Sequence, residues 1–97
     1  MVLFEDLKVL SEADIKQVML SVGRDVLSTS LIGAAPEVYQ HFDRAMSGSL
    51  REMVQEFIKL RGDSMASREI EAAQDLVLTA ALKLDQDGKI RLRELIG

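Results

Sequence analysis

The run Ser67-Arg68-Glu69-Ile70-Glu71-Ala72-Ala73-Gln74-Asp75-Leu76-Val77-Leu78-Thr79-Ala80-Ala81-Leu82-Lys83-Leu84 contains neither proline nor glycine. Within it Ile70, Ala73, Val77, Ala80, Ala81 and Leu84 recur at helical spacing. Leu76, Leu78 and Leu82 cover much of the remaining circumference. Arg68, Glu71, Asp75, Thr79 and Lys83 fall three to four apart and form one narrow polar stripe. A helix that is apolar nearly all round needs partners on several sides. The run therefore reads as the central helix of a small bundle, with the upstream helices laid against it.

The chain has 97 residues, the size of one domain able to bury a core of its own. Apolar residues make up 47% and charged residues 29%, an ordinary globular mix. Aromatics are only 4%, so Leu, Val, Ile, Met and Ala must fill the interior. There is no cysteine, which excludes disulfides, thiolate zinc sites and cysteine nucleophiles. That fits a reducing compartment without requiring one. The net charge of −4 argues against nucleic acid as a partner. No apolar run approaches the roughly 18–20 residues of a membrane span. The start, Met1 to Asp6, lacks the basic and apolar regions of a secretory signal.

Strand signals are almost absent, and Pro36 is the only proline. The chain reads as all-α: a single six-helix bundle over residues 1–97 with a long, mostly buried last helix. The first helix runs from Phe4 to about Val9, with Glu5 and Asp6 in its first turn. Ser11 is the N-cap of the second, and Asp14 supplies the acid of an imperfect capping box. Ile15, Val18, Met19 and Val22 form its apolar stripe, and Gly23 stops it. The third covers Arg24 to Ile32 with Val26, Leu27 and Leu31 inward, and ends at Gly33. Pro36 opens the fourth, whose seam is Val38, Phe42 and Met46. Ser47 caps the fifth, spanning 47–61, with Leu50, Met53, Val54, Phe57 and Ile58 as its buried side. After Gly62-Asp63-Ser64 comes the central helix, 67–84, and then Ile90 and Leu92 as a short extended tail.

Few residues suggest chemistry. Lys83 to Glu94 matches a calcium-binding EF-hand loop at Asp85, Asp87, Gly88, Ile90 and Glu94. It fails at the first ligand, which is Lys83, and no second loop is present to pair with. A polar helix end with Gly88 as its stop is the plainer reading. His41 is the only histidine, has no metal-ligating companion, and reads as a solvent-facing helix residue. No serine sits in a strand–turn–helix elbow, and the six glycines are scattered rather than gathered into a phosphate loop. No catalytic, cofactor-binding or metal-binding set is legible. The charged side of the fifth helix, with Arg51, Glu52, Gln55, Glu56 and Lys59, reads by itself as a solvated face.

Short motifs in order along the chain add a family reading. Met1-Val2-Leu3-Phe4 with Glu5-Asp6-Leu7 resembles the Met-Phe-x-Phe hinge and Glu-Asp-hydrophobic start of the last domain of the flagellar motor switch protein FliG. Ile15-Lys16-Gln17-Val18-Met19 is similar to that family's Ile-Gln-x-Leu-Leu, and Leu31-Ile32-Gly33-Ala34 to its Leu-Lys-Gly-Ala turn. Phe42 with Arg44-Ala45-Met46-Ser47 resembles its Phe…Asn-Met-Ser. Ile70-Glu71-x-x-Gln74 resembles its Val-Glu-x-x-Gln, and Gly88-Lys89-Ile90 its closing Gly-Glu-Ile.

The resemblance implies a rotor domain in the cytoplasm, peripheral to the inner face of the membrane at the flagellar base. It implies a MotA-like stator cytoplasmic loop, neighbouring FliG subunits and FliM-like switch proteins as partners, with no nucleic acid, small-molecule substrate or cofactor. Arg51, Glu52, Gln55, Glu56 and Lys59 become candidate stator contacts. Met1 and Phe4 become a hinge-like start over residues 1–4, and Gly33, Met46 and Ser47 family turn positions. The sequence departs from the family at Ile32, Ser49, Phe57 and Ala66, where the family carries charges, and it lacks the Gly-Pro-Val turn. Two functions follow: a divergent torque domain, or a FliG-like interaction and assembly module without torque duty. A calcium-responsive helical domain is a third.

Overall fold

The computed structural model describes residues 1–96, and all regular structure among them is helical. A 3-10 helix, Phe4–Val9, is followed by α1 (Glu12–Ser21), α2 (Arg24–Ile32), α3 (Pro36–Ala45), α4 (Gly48–Arg61), α5 (Ser67–Gln86) and α6 (Arg93–Ile96). The all-α expectation holds. The count differs, because the tail adds a short seventh helical segment to the six expected.

The expected caps form. Ser11 Oγ accepts from the Asp14 N–H at 3.2 Å, and Ser47 Oγ accepts from the Leu50 N–H at 3.3 Å. Pro36 stands in the first turn of α3. The Asp14 carboxylate does not close a capping box. It reaches across the fold and accepts from the Arg91 N–H at 3.1 Å.

Leu7 and Leu10, Ile15 and Val18 of α1, Leu27 and Leu31 of α2, Val38 and Phe42 of α3, Val54 of α4 and Val77 and Ala81 of α5 meet in one core. α5 packs chiefly on α2, and also on α1 and the 3-10 helix. It is buried only along Ala73, Val77 and Ala81. Leu76 is 56% exposed. The mostly buried last helix is thus corrected to a helix with one buried face. So short a chain has too few elements to surround it. α4 is still more peripheral and rests mainly on α2. Val54 is its one fully buried residue, while Leu50, Phe57 and Ile58 are half-buried and Met53 is exposed.

α2 and α5 approach closely at the end of α2. A Cβ at Gly33 would come within 2.7 Å of the Ile70 Cγ2 methyl. One turn along α5, the Gln74 side-chain amide donates to the Ser30 carbonyl at 3.0 Å. That carbonyl is among the last four of α2, which have no partner within their own helix. Ser30, whose carbonyl takes this bond, is fully buried, and Ser28 is buried as well.

Past α5 the chain turns at Gly88, whose φ of 76° is the left-handed conformation that favours glycine. The Lys89 N–H closes the turn on the Leu84 carbonyl at 2.9 Å. Ile90 and Leu92 then enter the core, at 4% and 0% exposure. The expected extended tail is therefore an anchored one, followed by α6. Asp85 holds it in place. Its carboxylate accepts from the Leu92 N–H at 2.8 Å and pairs with the Arg93 guanidinium at 2.8 Å. The Leu92 N–H above all, with help from the Arg93 N–H and charge, holds the Asp85 carboxyl below its ordinary range, against partial desolvation.

Two stability predictions follow from these contacts. Gly33→Ala should destabilise the chain by about 1–3 kcal/mol through overpacking. Adding Ile70→Leu, which removes the clashing methyl, should recover part of that loss in a double-mutant cycle read by urea unfolding. Asp85→Asn should lower stability at neutral pH by about 1–2 kcal/mol, the scale of a lost cap or charged hydrogen bond. The folded-state pKa of Asp85 is depressed. Its contribution is therefore complete above about pH 4, the unfolded value, and fades as pH falls through the lower folded value. The gap between the parent and Asp85→Asn should shrink in acid; a gap that widens there would refute the role given to Asp85.

Candidate functional site

α4 carries its exposed residues on one broad side because its neighbour α2 covers only the other. Glu52, Gln55, Glu56 and Lys59 all lie on the exposed side, where their spacing places them within about two turns of one another. None of the three charged residues makes an ion pair among the described residues. Leu60 stands on the same side at 71% exposure.

Arg51 behaves differently from the other four candidates. Its Nε donates to Asp43 Oδ1 at 3.0 Å. Its Nη2 donates to the Asp43 carbonyl at 2.8 Å and the Met46 carbonyl at 3.4 Å. It folds back over the end of α3, where a cation complements the outward-facing carbonyls and the negative end of the helix dipole. Sequence reading placed it on the solvated face of its own helix. The true partner lies eight residues back, across the turn between α3 and α4. Phe57, which stands where the family has an acid, is half-buried, and the Arg61 guanidinium lies 5.6 Å from the centre of its ring.

The other family positions map onto packing contacts. Phe4 stacks on the buried Phe42, with ring centres 6.1 Å apart and planes 12° from parallel. Met1 is fully exposed. Gly33 meets Ile70 as described, and Met46 is buried at the end of α3. Ser47 caps α4. The sequence motifs around Gly33 and Gln74 are thus two sides of one contact.

His41 corrects its expectation. It is half-buried, and its Nε2 donates to the Leu10 carbonyl, fastening α3 to the segment before α1. Two of the three carboxylates of the calcium-like loop also have protein partners. Asp85 is engaged by Leu92 and Arg93, and Glu94 pairs with Arg91 at 3.6 Å. Among the described residues no three His, Cys, Asp or Glu side chains gather as a metal site would require.

One surface feature was not legible from the sequence. A cleft of about 590 Å³ opens between the end of α1, the end of α3 and the start of α4. Met19, Leu20, Met46, Leu50 and Met53 line it, with Arg24 and Arg44 at its edge. Leu20 falls outside the apolar stripe of α1 and is 83% exposed. That misfit was the available signal, but only the packing shows what lies beside it.

Comparison with known proteins is consistent throughout. A family model described as FliG C-terminal domain matches residues 1–92. The flagellar motor switch protein FliG of Aquifex aeolicus (strain VF5) is 33% identical over 89 residues, covering 92% of this chain and 27% of the relative. The chain therefore spans about a quarter of that relative's length. Two crystal structures of FliG fragments from H. pylori share the fold. One superposes with a TM-score of 0.89 at 22% identity, covering 95% of this chain and 40% of the other. The second gives 0.87 at 22% identity, covering 94% and 42%. No helix among the described residues is long and apolar enough to cross a membrane. With the family match running through nearly the whole chain, and a third of the aligned residues shared with a flagellar FliG, this chain belongs to the family of C-terminal domains of the flagellar motor switch protein FliG.

Proposed function

We propose that this chain is a rotor domain that meets the stator through the exposed side of α4 and takes part in torque generation and switching. The observation that supports this is the position of α4. It rests on α2 with one fully buried residue, so Glu52, Gln55, Glu56 and Lys59 stand clear, the three charged ones without ion-pair partners among the described residues. Exposed charge pairs are individually worth about 0–1 kcal/mol and are weakened by salt. Such contacts suit a surface that must engage and release a partner repeatedly, steering it without holding it. The proposed partner on that side is a MotA-like cytoplasmic loop. Neighbouring FliG subunits and FliM-like switch proteins would meet other surfaces, at the inner face of the membrane in the flagellar base. No nucleic acid or small-molecule substrate enters this reading.

In it, residues 1–97 act as one unit. Residues 1–4 form the hinge-like start, 47–61 the contact helix and 67–84 the central helix that steadies it. Arg51 positions α4 rather than touching the stator, because its guanidinium is occupied by Asp43 and two carbonyls.

A second reading, an interaction and assembly module without torque duty, is favoured by one observation. Phe57 and Arg61 form an apolar and cationic patch where the family has an acid.

Charge reversal separates the two readings. Glu56→Lys should change stability by less than about 0.5 kcal/mol, as an exposed substitution does. In cells with this segment in its full-length protein, it should leave filaments in place and reduce swimming. Unchanged swimming with Glu56→Lys, together with loss of filaments on opening the core with Val77→Asp, would replace the torque reading with the assembly one. Arg51→Ala should cost about 1–3 kcal/mol by urea unfolding, because it strips a charged donor from the end of α3.

A further inference from the structure

The cleft between α1, α3 and α4 lies beside the proposed contact side of α4, and it has a different chemistry. Its floor is apolar, with Met19, Met46 and the half-buried Leu50. Its walls are the exposed Leu20 and Met53, at 83% and 44% exposure. Large apolar side chains left this open around a concavity mark an interaction site more often than scattered surface leucines do. Methionine adds to this, since its flexible thioether adapts to whatever is inserted.

The charges at the edge define the partner. Arg24 and Arg44 flank the cleft, and neither has a carboxylate partner among the described residues. Arg24 Nη1 instead lies 3.5 Å from the Met53 sulfur, which leaves its remaining donors unused. The two other charged groups lining the cleft, Glu12 and Lys16, pair with each other at 3.5 Å and cancel. The local balance is therefore positive, on a chain whose net charge is −4. Paired arginines beside an apolar slot present planar donors to carboxylates while the slot takes an apolar side chain.

We infer that this cleft docks an acidic amphipathic helix from a partner protein, with an apolar side chain seated between Leu20 and Met53 and flanking carboxylates on Arg24 and Arg44. A bilayer fits less well. It is flat, and an anionic membrane would meet the acidic remainder of the surface over a wide area. A narrow helix meets the local charge alone, since charges farther than about 8 Å are screened at physiological salt. The inference rests on this cleft and does not depend on stator contact through α4.

The test uses the full chain and a displayed library of helical peptides of about 16 residues, long enough for four turns. Each peptide carries Leu, Ile, Met or Phe at two positions four apart, and the flanking positions are divided evenly among Glu, Lys and Gln. Selection should enrich Glu over Lys by about 10-fold or more, a modest difference in binding free energy. The enriched peptides should shift the amide signals of Leu20, Arg24, Arg44 and Met53. Enrichment should vanish for Arg24→Glu/Arg44→Glu and for Leu20→Asp, each checked as folded by circular dichroism. These side chains are exposed, so their replacement leaves the core intact. Equal enrichment of Glu and Lys, or amide shifts confined to other surfaces, would overturn the inference. So would Leu20 and Met53 signals that move with protein concentration alone, which would assign the cleft to a second copy. Binding to phosphatidylglycerol vesicles with no selected peptide would assign it to a membrane and overturn it equally.

Discussion

The seating of α5 on the end of α2 is the contact on which the rest of the architecture depends. Three features combine there. Gly33 has no side chain, so the Ile70 methyl can occupy the space. The Gln74 amide satisfies the Ser30 carbonyl, which would otherwise stand unpaired at a buried helix end. Ala73, between them in sequence, is buried and small enough to keep the helices close. α4 in turn leans on α2, and α1 and the 3-10 helix lean on α5. Widening this seam by one methyl would therefore shift the frame that carries every other helix, including the one proposed to meet the stator.

Most of the fold is legible in the sequence, and the reason is local. Helix starts at Ser11, Pro36 and Ser47, the stop at Gly88 and the apolar stripes of α1, α2 and α3 depend on residues within a turn or two of each other. Misreadings occur where the partner is distant. Periodicity shows that α5 is apolar over most of its circumference, yet it cannot show how many neighbours the chain has left to cover it. Leu76 consequently stays in solvent. Ile90 and Leu92 carry no periodic signal, and only the return of the tail to the core explains why they are apolar. His41 reads as a solvent residue because its acceptor, Leu10, lies 31 residues away.

The candidate site divides along the same line. Glu52, Gln55, Glu56 and Lys59 share a face by spacing alone, and the structure leaves that face open. Arg51 belongs to the same run, but its guanidinium is claimed by a carboxylate and two carbonyls beyond the preceding turn. A charge on the contact helix is thus informative about scaffold and surface in different ways. Where a long cationic side chain can reach an unpaired helix end, satisfying that end competes with facing a partner. The cleft holding Leu20, Arg24, Arg44 and Met53 draws on four helices, so no window of sequence contains it.

The tail has a consequence for how the fold is closed. Arg91 bonds to Asp14 across 77 residues, while Leu92 and Arg93 are held by Asp85 only a few residues before them. The near contacts close a small loop at little entropic cost, whereas the far one joins the two ends of the chain. The far bond therefore requires α1 and the end of α5 to lie side by side. Asp14 and Arg91 thus act as a clasp that ties the segment after α5 to α1, the first α-helix of the bundle.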